Sequence, residues 1–220
     1  MNDEFLTFTG LSEGYFMDRG SKFLAYAFPV SNEHDANQFL QKIKKDHPKA
    51  RHYCSALRLF PDASLERSND DREPSGSAGK PILGQLVKYQ LTNAMIIVVR
   101  YFGGTKLGVP GLIEAYKTSA SNAIEASTIV KRKVYATVKI DLSYEQLPSF
   151  INHCRQLGVM IFKEEYIETP SLILGFSLSS VLEELKQTLH RYTEMDFEKV
   201  EDYAQHLNLT VEILREEKIF

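Results

Sequence analysis

The sequence has few cysteines and no long apolar run. Its 220 residues include two cysteines, Cys54 and Cys154, which are far apart and form no CxxC pair. A disulfide framework is therefore excluded, and a tetrahedral zinc site would need histidines from scattered positions. No apolar run approaches the roughly 20 residues that span a bilayer, and the start MNDEFLTFTG lacks the basic and apolar regions of a signal peptide. We therefore expect a cytoplasmic protein with no membrane partner.

Common catalytic signatures are also missing. The chain has no GxSxG, HExxH or GxGxxG pattern. Gly79-Lys80 resembles the end of a Walker A loop, but proline stands at position 74, where that loop needs glycine, and at position 81, where it needs Ser or Thr. We predict neither that type of ATP hydrolysis nor a dinucleotide site, and we expect no metal and no cofactor. Whether the chain is an enzyme stays open, and a non-enzymatic role is preferred.

Charge is divided unevenly along the chain. Residues 1–133 hold 18 Lys and Arg against 14 Asp and Glu, and residues 134–220 hold 8 against 15, so the net charges are +4 and -7. With the change of pattern after the basic step Lys131-Arg132-Lys133, this predicts two domains, 1–133 and 134–220. Two solvated surfaces of different sign explain the charges as well as a phosphate-binding footprint does. The acidic second domain is a candidate docking surface for protein partners.

The hydrophobic pattern of the first domain predicts mixed helices and strands. We predict strands at 5–8, 23–30, 52–60 and 94–99, and helices at about 32–46, 81–92 and 110–126. Residues 94–99 are apolar throughout, which indicates a strand buried on both faces. Residues 61–76 show no period and are interpreted as a long functional or disordered loop.

The hydrophobic pattern of the second domain predicts the element order βαββαβ, which is the ferredoxin-like plan. The strands are 134–142, 159–167, 172–178 and 197–203, and the helices are 144–157, ended by Gly158, and 180–192. Residues 205–220 exceed this plan, and their alternating apolar residues predict an added edge strand.

Two glycine-rich loops, each with a lysine before a helix, form the candidate site. Loop one is residues 73–80, and loop two is residues 100–108. The glycines allow positive φ and turn backbone N–H groups to one side, and each following helix adds the positive end of its dipole. The candidate phosphate- or carboxylate-binding residues are Glu73, Ser75, Gly76, Ser77, Gly79, Lys80, Arg100, Gly103, Gly104 and Lys106. The glycines are equally well explained as shaping tight turns.

Two further interpretations of the charged residues stay open. Arg100 contributes to a basic patch with Lys106, pairs with Asp70, Asp71 or Glu73 as a structural ion pair, or does both. The same three carboxylates suit Mg²⁺, although a solvated acidic loop is preferred.

His52 and Cys54 share one face of a strand and mark a possible edge of the site. Side chains at i and i+2 are separated by about 6–7 Å of strand rise, so these two do not hydrogen-bond directly. Core packing of Cys54 is the preferred interpretation.

At this central stretch the sequence resembles the YigZ/IMPACT family. The matching segments are Arg51–Ala56, Asp70–Pro81, Val98–Gly108, Gly111-Leu112 and Ala115-Tyr116. The turn Arg19–Phe23 and the C-terminal pattern agree with bacterial two-domain members. Two positions depart from the family: Arg72 and Pro110 stand where glycine is usual. Arg72 joins the candidate site because it either alters loop one or adds a positive group.

The resemblance implies an α+β fold with an N-terminal domain of the ribosomal-protein type, like domain four of elongation factor G. The C-terminal ferredoxin-like domain would resemble domain five of that factor. This pairing implies contact with RNA, the ribosome or the translation machinery. Eukaryotic IMPACT proteins regulate a translation-initiation kinase pathway through an additional N-terminal domain absent from these residues, so that role is not transferred.

Three hypotheses about function follow. The first is a non-enzymatic nucleic-acid- or ribosome-associated protein linked to regulation of translation. The second is an enzyme or sensor that binds a small anionic ligand in a cleft between loops 73–80 and 100–108. The third is a protein-interaction scaffold.

Overall fold

A computed structural model describes the backbone of residues 3–219 and the side chains of residues 3–214. The chain divides into two units after Arg132. The first unit is Glu4–Arg132, and the second is formed by the chain from Lys133 onward together with Asp3. No helix in the described part of the chain is long and apolar enough to cross a membrane.

The first unit contains strands β1 to β6, helices α1 to α3 and the start of β7. Their bounds are β1 Glu4–Phe8, β2 Ser12–Asp18, β3 Ser21–Pro29, α1 Glu33–Asp46, β4 His52–Leu59, β5 Leu65–Asn69, α2 Gly79–Lys88, β6 Ala94–Tyr101, α3 Gly108–Glu125 and β7 Ile129–Asp141. Five of the strands form one antiparallel sheet in the order β2-β3-β6-β4-β5.

Helices cover both faces of this sheet. Alternate residues of the central strand β6 enter two separate cores, with Ile96 and Val98 in one and Ile97 and Val99 in the other. The first core includes apolar residues of α2 and α3, and the second includes those of α1. The central strand is therefore buried on both faces, as its apolar sequence predicts.

Helix α1 begins where the sequence places it. The side chain of Asn32 accepts a hydrogen bond from the Asp35 N–H at 2.9 Å, which caps the first turn.

Two strands of the first unit are absent from the sequence prediction. Residues 61–76 are not irregular throughout, because β5 lies within them and pairs with β4 along the sheet edge. Strand β2 is the other edge and contains Gly14, a residue type that usually weakens a strand. A Cβ on Gly14 would lie 2.3 Å from the backbone nitrogen of Ala123, so glycine lets this strand pack directly on α3.

Two boundaries near the candidate site also differ from the prediction. Helix α2 begins at Gly79, within loop one, and ends at Lys88. Strand β6 continues through Arg100 to Tyr101, so loop two starts at residue 102.

The second unit packs helices against an antiparallel sheet in the order β10-β7-β9-β8. Its further elements are α4 Leu147–Leu157, β8 Met160–Tyr166, β9 Pro170–Ser177, α5 Val181–Thr193, α6 Val200–Leu207 and β10 Thr210–Ile219. Gly158 ends α4 with φ +71, as predicted. The core includes fully buried Phe150 and Cys154.

The final strand prediction is wrong. Residues 197–203 do not form a strand, because helix α6 begins at Val200. The buried Tyr203 of this helix packs its ring edge-on against Phe197, with centroids 4.8 Å apart. Strand β10, expected as an addition, is the strand that completes the sheet beside β7.

Candidate functional site

The carboxylate of Asp70 occupies the backbone donors of loop one. One of its oxygens accepts hydrogen bonds from the N–H groups of Ala78 and Gly79 at 3.0 and 2.8 Å, and the other accepts from Gly76 at 2.8 Å. Burial works against the charged carboxylate, but these bonds and the charge of Lys80 hold the pKa of Asp70 below its ordinary value of 3.8. The N-terminal end of α2 is therefore occupied by an anionic group of the protein itself, the carboxylate of Asp70.

Glu73 and Arg100 form a buried ion pair in the same region. The Nη1 of Arg100 lies 2.6 Å from Oε1 of Glu73, and the two side chains are 7% and 4% exposed. The hydroxyl of Tyr116 on α3 donates to the same oxygen at 2.8 Å. The structure shows the ion pair that was one interpretation of Arg100, with Glu73 as its partner. The network joins loop one to β6 and α3.

Cys54 and His52 are held by the loop backbone. The buried Sγ of Cys54 donates to the carbonyl of Asp70 at 3.1 Å, and Nδ1 of His52 donates to the carbonyl of Asp71 at 2.9 Å. Burial raises the pKa of the Cys54 thiol, so it stays protonated at neutral pH and is a poor nucleophile. Burial also raises the pKa of Tyr116, with further contributions from Cys54 and Glu73.

Arg72 adopts a backbone conformation that favours glycine. Its φ is +72°, and its exposed guanidinium donates to the carbonyl of Arg51 at 2.7 Å and lies 3.6 Å from the Asp71 carboxylate. The opposite side of that carboxylate accepts from the Tyr53 N–H at 2.8 Å. Arginine therefore occupies a left-handed position that suits the glycine usual in the resembling family, and it adds an exposed cation.

The remaining residues of loop one divide between the interior and the surface. Ser77 is buried and donates to the carbonyl of Pro74 at 2.6 Å. Ser75 and Lys80 are exposed, and Gly76 has a φ of +74°. Lys80 is therefore the exposed cation at the start of α2.

Loop two packs against the turn between β2 and β3. A Cβ on Gly103 would lie 1.9 Å from the carbonyl carbon of Gly20, and the Gly103 N–H donates to the Ser21 hydroxyl at 3.1 Å. Gly104, with φ +91°, is exposed with open space around it, and Lys106 is exposed just before α3. Close backbone contact thus requires glycine at 103, whereas φ favours it at 104.

Phe102 covers part of the buried arginine from outside. It is 58% exposed, and its ring centre lies 5.6 Å from the guanidinium carbon of Arg100. Phe23 lies at a similar distance of 5.5 Å, inside the core. Helix α3 then begins at Gly108 with no side-chain cap and no acidic residue in its first turn. The described part of the chain has no group of three or more His, Cys, Asp or Glu able to hold a metal ion.

The structure separates the candidate residues that are bonded within the protein from those that are exposed to a ligand. Glu73, Ser77, Cys54 and Arg100 are bonded internally, whereas Lys80 and Lys106 present exposed cations. Arg72 is exposed but also contacts the Arg51 carbonyl and the Asp71 carboxylate. The sequence pattern did not predict Asp70 as an internal cap or Tyr116 as a donor. An acidic residue ahead of a glycine-rich helix start was the available signal for Asp70, whereas Tyr116 matched an ordinary core position.

Comparison with known proteins gives consistent matches. The model of the Impact N-terminal domain matches residues 19–124. The IMPACT family member YvyE of Bacillus subtilis is 38% identical over 148 residues, which are 67% of this chain and 68% of that protein. An IMPACT family member of Haemophilus influenzae is 37% identical over 73% of this chain and 79% of its own length. The IMPACT family member YigZ of Escherichia coli is 33% identical over 66% of this chain and 72% of its own length.

A solved structure also shares the fold. The crystal structure of an hypothetical protein covers 98% of this chain and 100% of its own, with a TM-score of 0.67 and 24% sequence identity. This match concerns the fold alone.

Proposed function

Because this chain belongs to the IMPACT family, we propose that it is a non-enzymatic nucleic-acid- or ribosome-associated protein linked to the regulation of translation. Its expected partners are RNA, the ribosome or other translation machinery, and its expected location is the cytoplasm. The resemblance of the motif segments to this family supplies the link to translation.

RNA binding is supported by one contrast around loop one: its backbone N–H groups are already bonded, whereas nearby cations are exposed. The chain's own Asp70 occupies the N–H groups of Gly76, Ala78 and Gly79, which a small bound anion would use. The cations at 72, 80 and 106 remain exposed. Exposed cations beside internally satisfied loops suit a polyanion that lies across the surface better than a small anion held in a cradle.

The proposal also includes a fold assignment for each of the two domains. We propose that residues 134–220 form a ferredoxin-like domain, because their antiparallel sheet has the order β10-β7-β9-β8 with helices packed on it. Residues 1–133 would be the ribosomal-protein-type domain. The small-ligand and scaffold hypotheses are the alternatives that the experiment must separate from RNA binding.

The test is binding of a labelled single-stranded RNA of about 12 nucleotides, measured by fluorescence anisotropy. If Arg72, Lys80 and Lys106 contact three phosphates, these contacts alone should lower the affinity roughly 20-fold between about 50 and 200 mM salt. The same salt change should cost Lys80→Ala/Lys106→Ala about sevenfold less affinity than it costs the wild type, because two of the contacts are gone. Arg100 is unsuited to this test because its replacement leaves Glu73 buried without its partner.

Lys42→Ala/Lys88→Ala is the matched control. It removes the same charge from two exposed lysines of the same unit, on α1 and at the far end of α2. We expect this control to keep the wild-type salt dependence. Absence of RNA binding by the folded wild type, or equal losses in both double variants, would reject the proposal.

A further inference from the structure

One face of the first sheet carries an exposed row of side chains at the end nearest loop two. In register, Met17 of β2 lies opposite Lys22 of β3, and Lys22 lies opposite Tyr101 of β6. Arg51, which directly precedes β4, continues this register beside Tyr101. We call these four residues the terminal row. Tyr15 lies two residues from Met17 on the same face.

The terminal row faces away from α2 and α3. On β2, Gly14 packs on α3 and Phe16 packs on the core below that helix, so Tyr15 and Met17 point to the opposite face. Tyr15 and Met17 are 50% and 56% exposed. Their apolar surface is therefore available at the edge of the sheet.

Helix α1 covers the central part of this face and stops before the terminal row. It ends at Asp46, and the ring of the next residue, His47, bonds the hydroxyls of Tyr26 and Tyr101 at 2.7 and 3.0 Å. Anchoring the hydroxyl fixes the ring of Tyr101 while leaving it only partly buried. A fixed aromatic ring loses little conformational entropy when a second ring stacks on it.

Cations outnumber carboxylates at this end of the sheet. Lys22 and Arg51 are exposed, and Arg72, just before loop one, donates to the Arg51 carbonyl at 2.7 Å and lies 3.6 Å from the partly buried carboxylate of Asp71. Of the two carboxylates of β2, Glu13 lies beyond Tyr15, beside Tyr26, and Asp18 alternates to the face of α3. A negatively charged, flat partner fits this combination.

We propose that the terminal row and Tyr15 form a stacking surface for the bases of single-stranded RNA, whose phosphates follow Lys22, Arg51 and Arg72. This rests on the proposed function and names the class of RNA that the site takes. Unpaired bases stack on exposed aromatic rings, whereas the bases of a duplex are already stacked on each other. An acidic peptide would meet the cations but would gain no base stacking from Tyr15.

The test compares variants of Tyr15 in the full chain, using the single-stranded RNA above and the same RNA annealed to its complement. Tyr15→Ala should weaken single-strand binding at least about fivefold and leave duplex binding unchanged. Tyr15→Phe should bind as the wild type does, because phenylalanine keeps the aromatic face. Tyr144→Ala is the matched control, since Tyr144 is 56% exposed and lies in the second unit.

The outcomes separate this inference from the proposed function. Equal affinities of wild type and Tyr15→Ala, with a loss in Lys80→Ala/Lys106→Ala, would overturn the stacking surface and leave RNA binding intact. Equal binding of single-stranded and duplex RNA by the wild type would also overturn it. If folded wild type bound neither RNA but bound a polyglutamate peptide through Lys22, both proposals would fall.

Discussion

At the scale of single residues, the conformation of Arg72 leads to a stability prediction. A left-handed backbone costs a residue with a Cβ roughly 1–2 kcal/mol, and the φ of Arg72 is +72°. Glycine avoids that cost, but it also gives the unfolded chain more conformational freedom, which offsets part of the gain in stability. Arg72→Gly should therefore raise the free energy of unfolding by up to about 1 kcal/mol, as measured by urea denaturation.

Arg72→Ala is the control for this prediction. It removes the guanidinium and its hydrogen bond to Arg51 but keeps the Cβ, so it should give no gain. If the glycine and alanine variants were equally stable, backbone strain at this position would be refuted.

The candidate residues also show what a sequence can predict about single positions. The start of α1 after Asn32 and the end of α4 at Gly158 agree with the predicted helix bounds, because capping chemistry is local. The partner of Arg100 was not predictable, because Asp70, Asp71 and Glu73 lie within four positions of each other. Burial against α3 selects Glu73, and that contact depends on the tertiary fold.

At the scale of elements, the errors lie where local patterns conflict with tertiary packing. Strand β2 contains Gly14, which signals a turn locally but here allows close packing on α3. Strand β5 is an exposed, largely polar edge, so it lacks the alternation that marks a strand. Helix α6 is short and buries Tyr203, whose aromatic side chain favours a strand by propensity.

The contact between loop two and the β2–β3 turn predicts unequal effects of two neighbouring glycines. Gly103→Ala should destabilise the protein by about 3 kcal/mol, because the new Cβ would overlap the backbone of Gly20. Gly104→Ala should cost only about 1 kcal/mol, because there is open space around it and only φ opposes the change. Thermal denaturation followed by circular dichroism measures both.

The two alanine variants control for each other, because they make the same chemical change one residue apart. Equal losses would contradict the close backbone contact, and a larger loss at 104 would reverse the assignment.

At the scale of the whole molecule, stability should depend on carboxylates in both units. Burial opposes their charge, but hydrogen bonds hold the pKa of Asp70 in the first unit and Glu184 in the second below ordinary values of 3.8 and 4.5. A lowered folded pKa stabilises the protein above the unfolded pKa, and this contribution is lost as pH falls through the folded pKa. The melting temperature should therefore fall below about pH 4.

Asp70→Asn tests the contribution of the first unit. At pH 7 it should lower the free energy of unfolding by about 2 kcal/mol, because three backbone N–H groups lose their charged acceptor. The difference from wild type should shrink below about pH 4, because Asp70 becomes protonated first in the unfolded chain and then, at lower pH, in the folded protein. Asp62→Asn, an exposed carboxylate that accepts from the Ser64 N–H, is the control. A deficit that did not change with pH would contradict the assignment.

The placement of the two cysteines gives each unit a separate chemical reporter. Cys54 lies in the core of the first unit and Cys154 in the core of the second, both fully buried. Burial raises the pKa of Cys154 to about 12 and suppresses the thiolate of Cys54 as well. An alkylating reagent can therefore modify each thiol only while its own unit is open. Mass spectrometry of the two labelled peptides would then give the rate at which each unit opens, and no cysteine would have to be introduced by mutation.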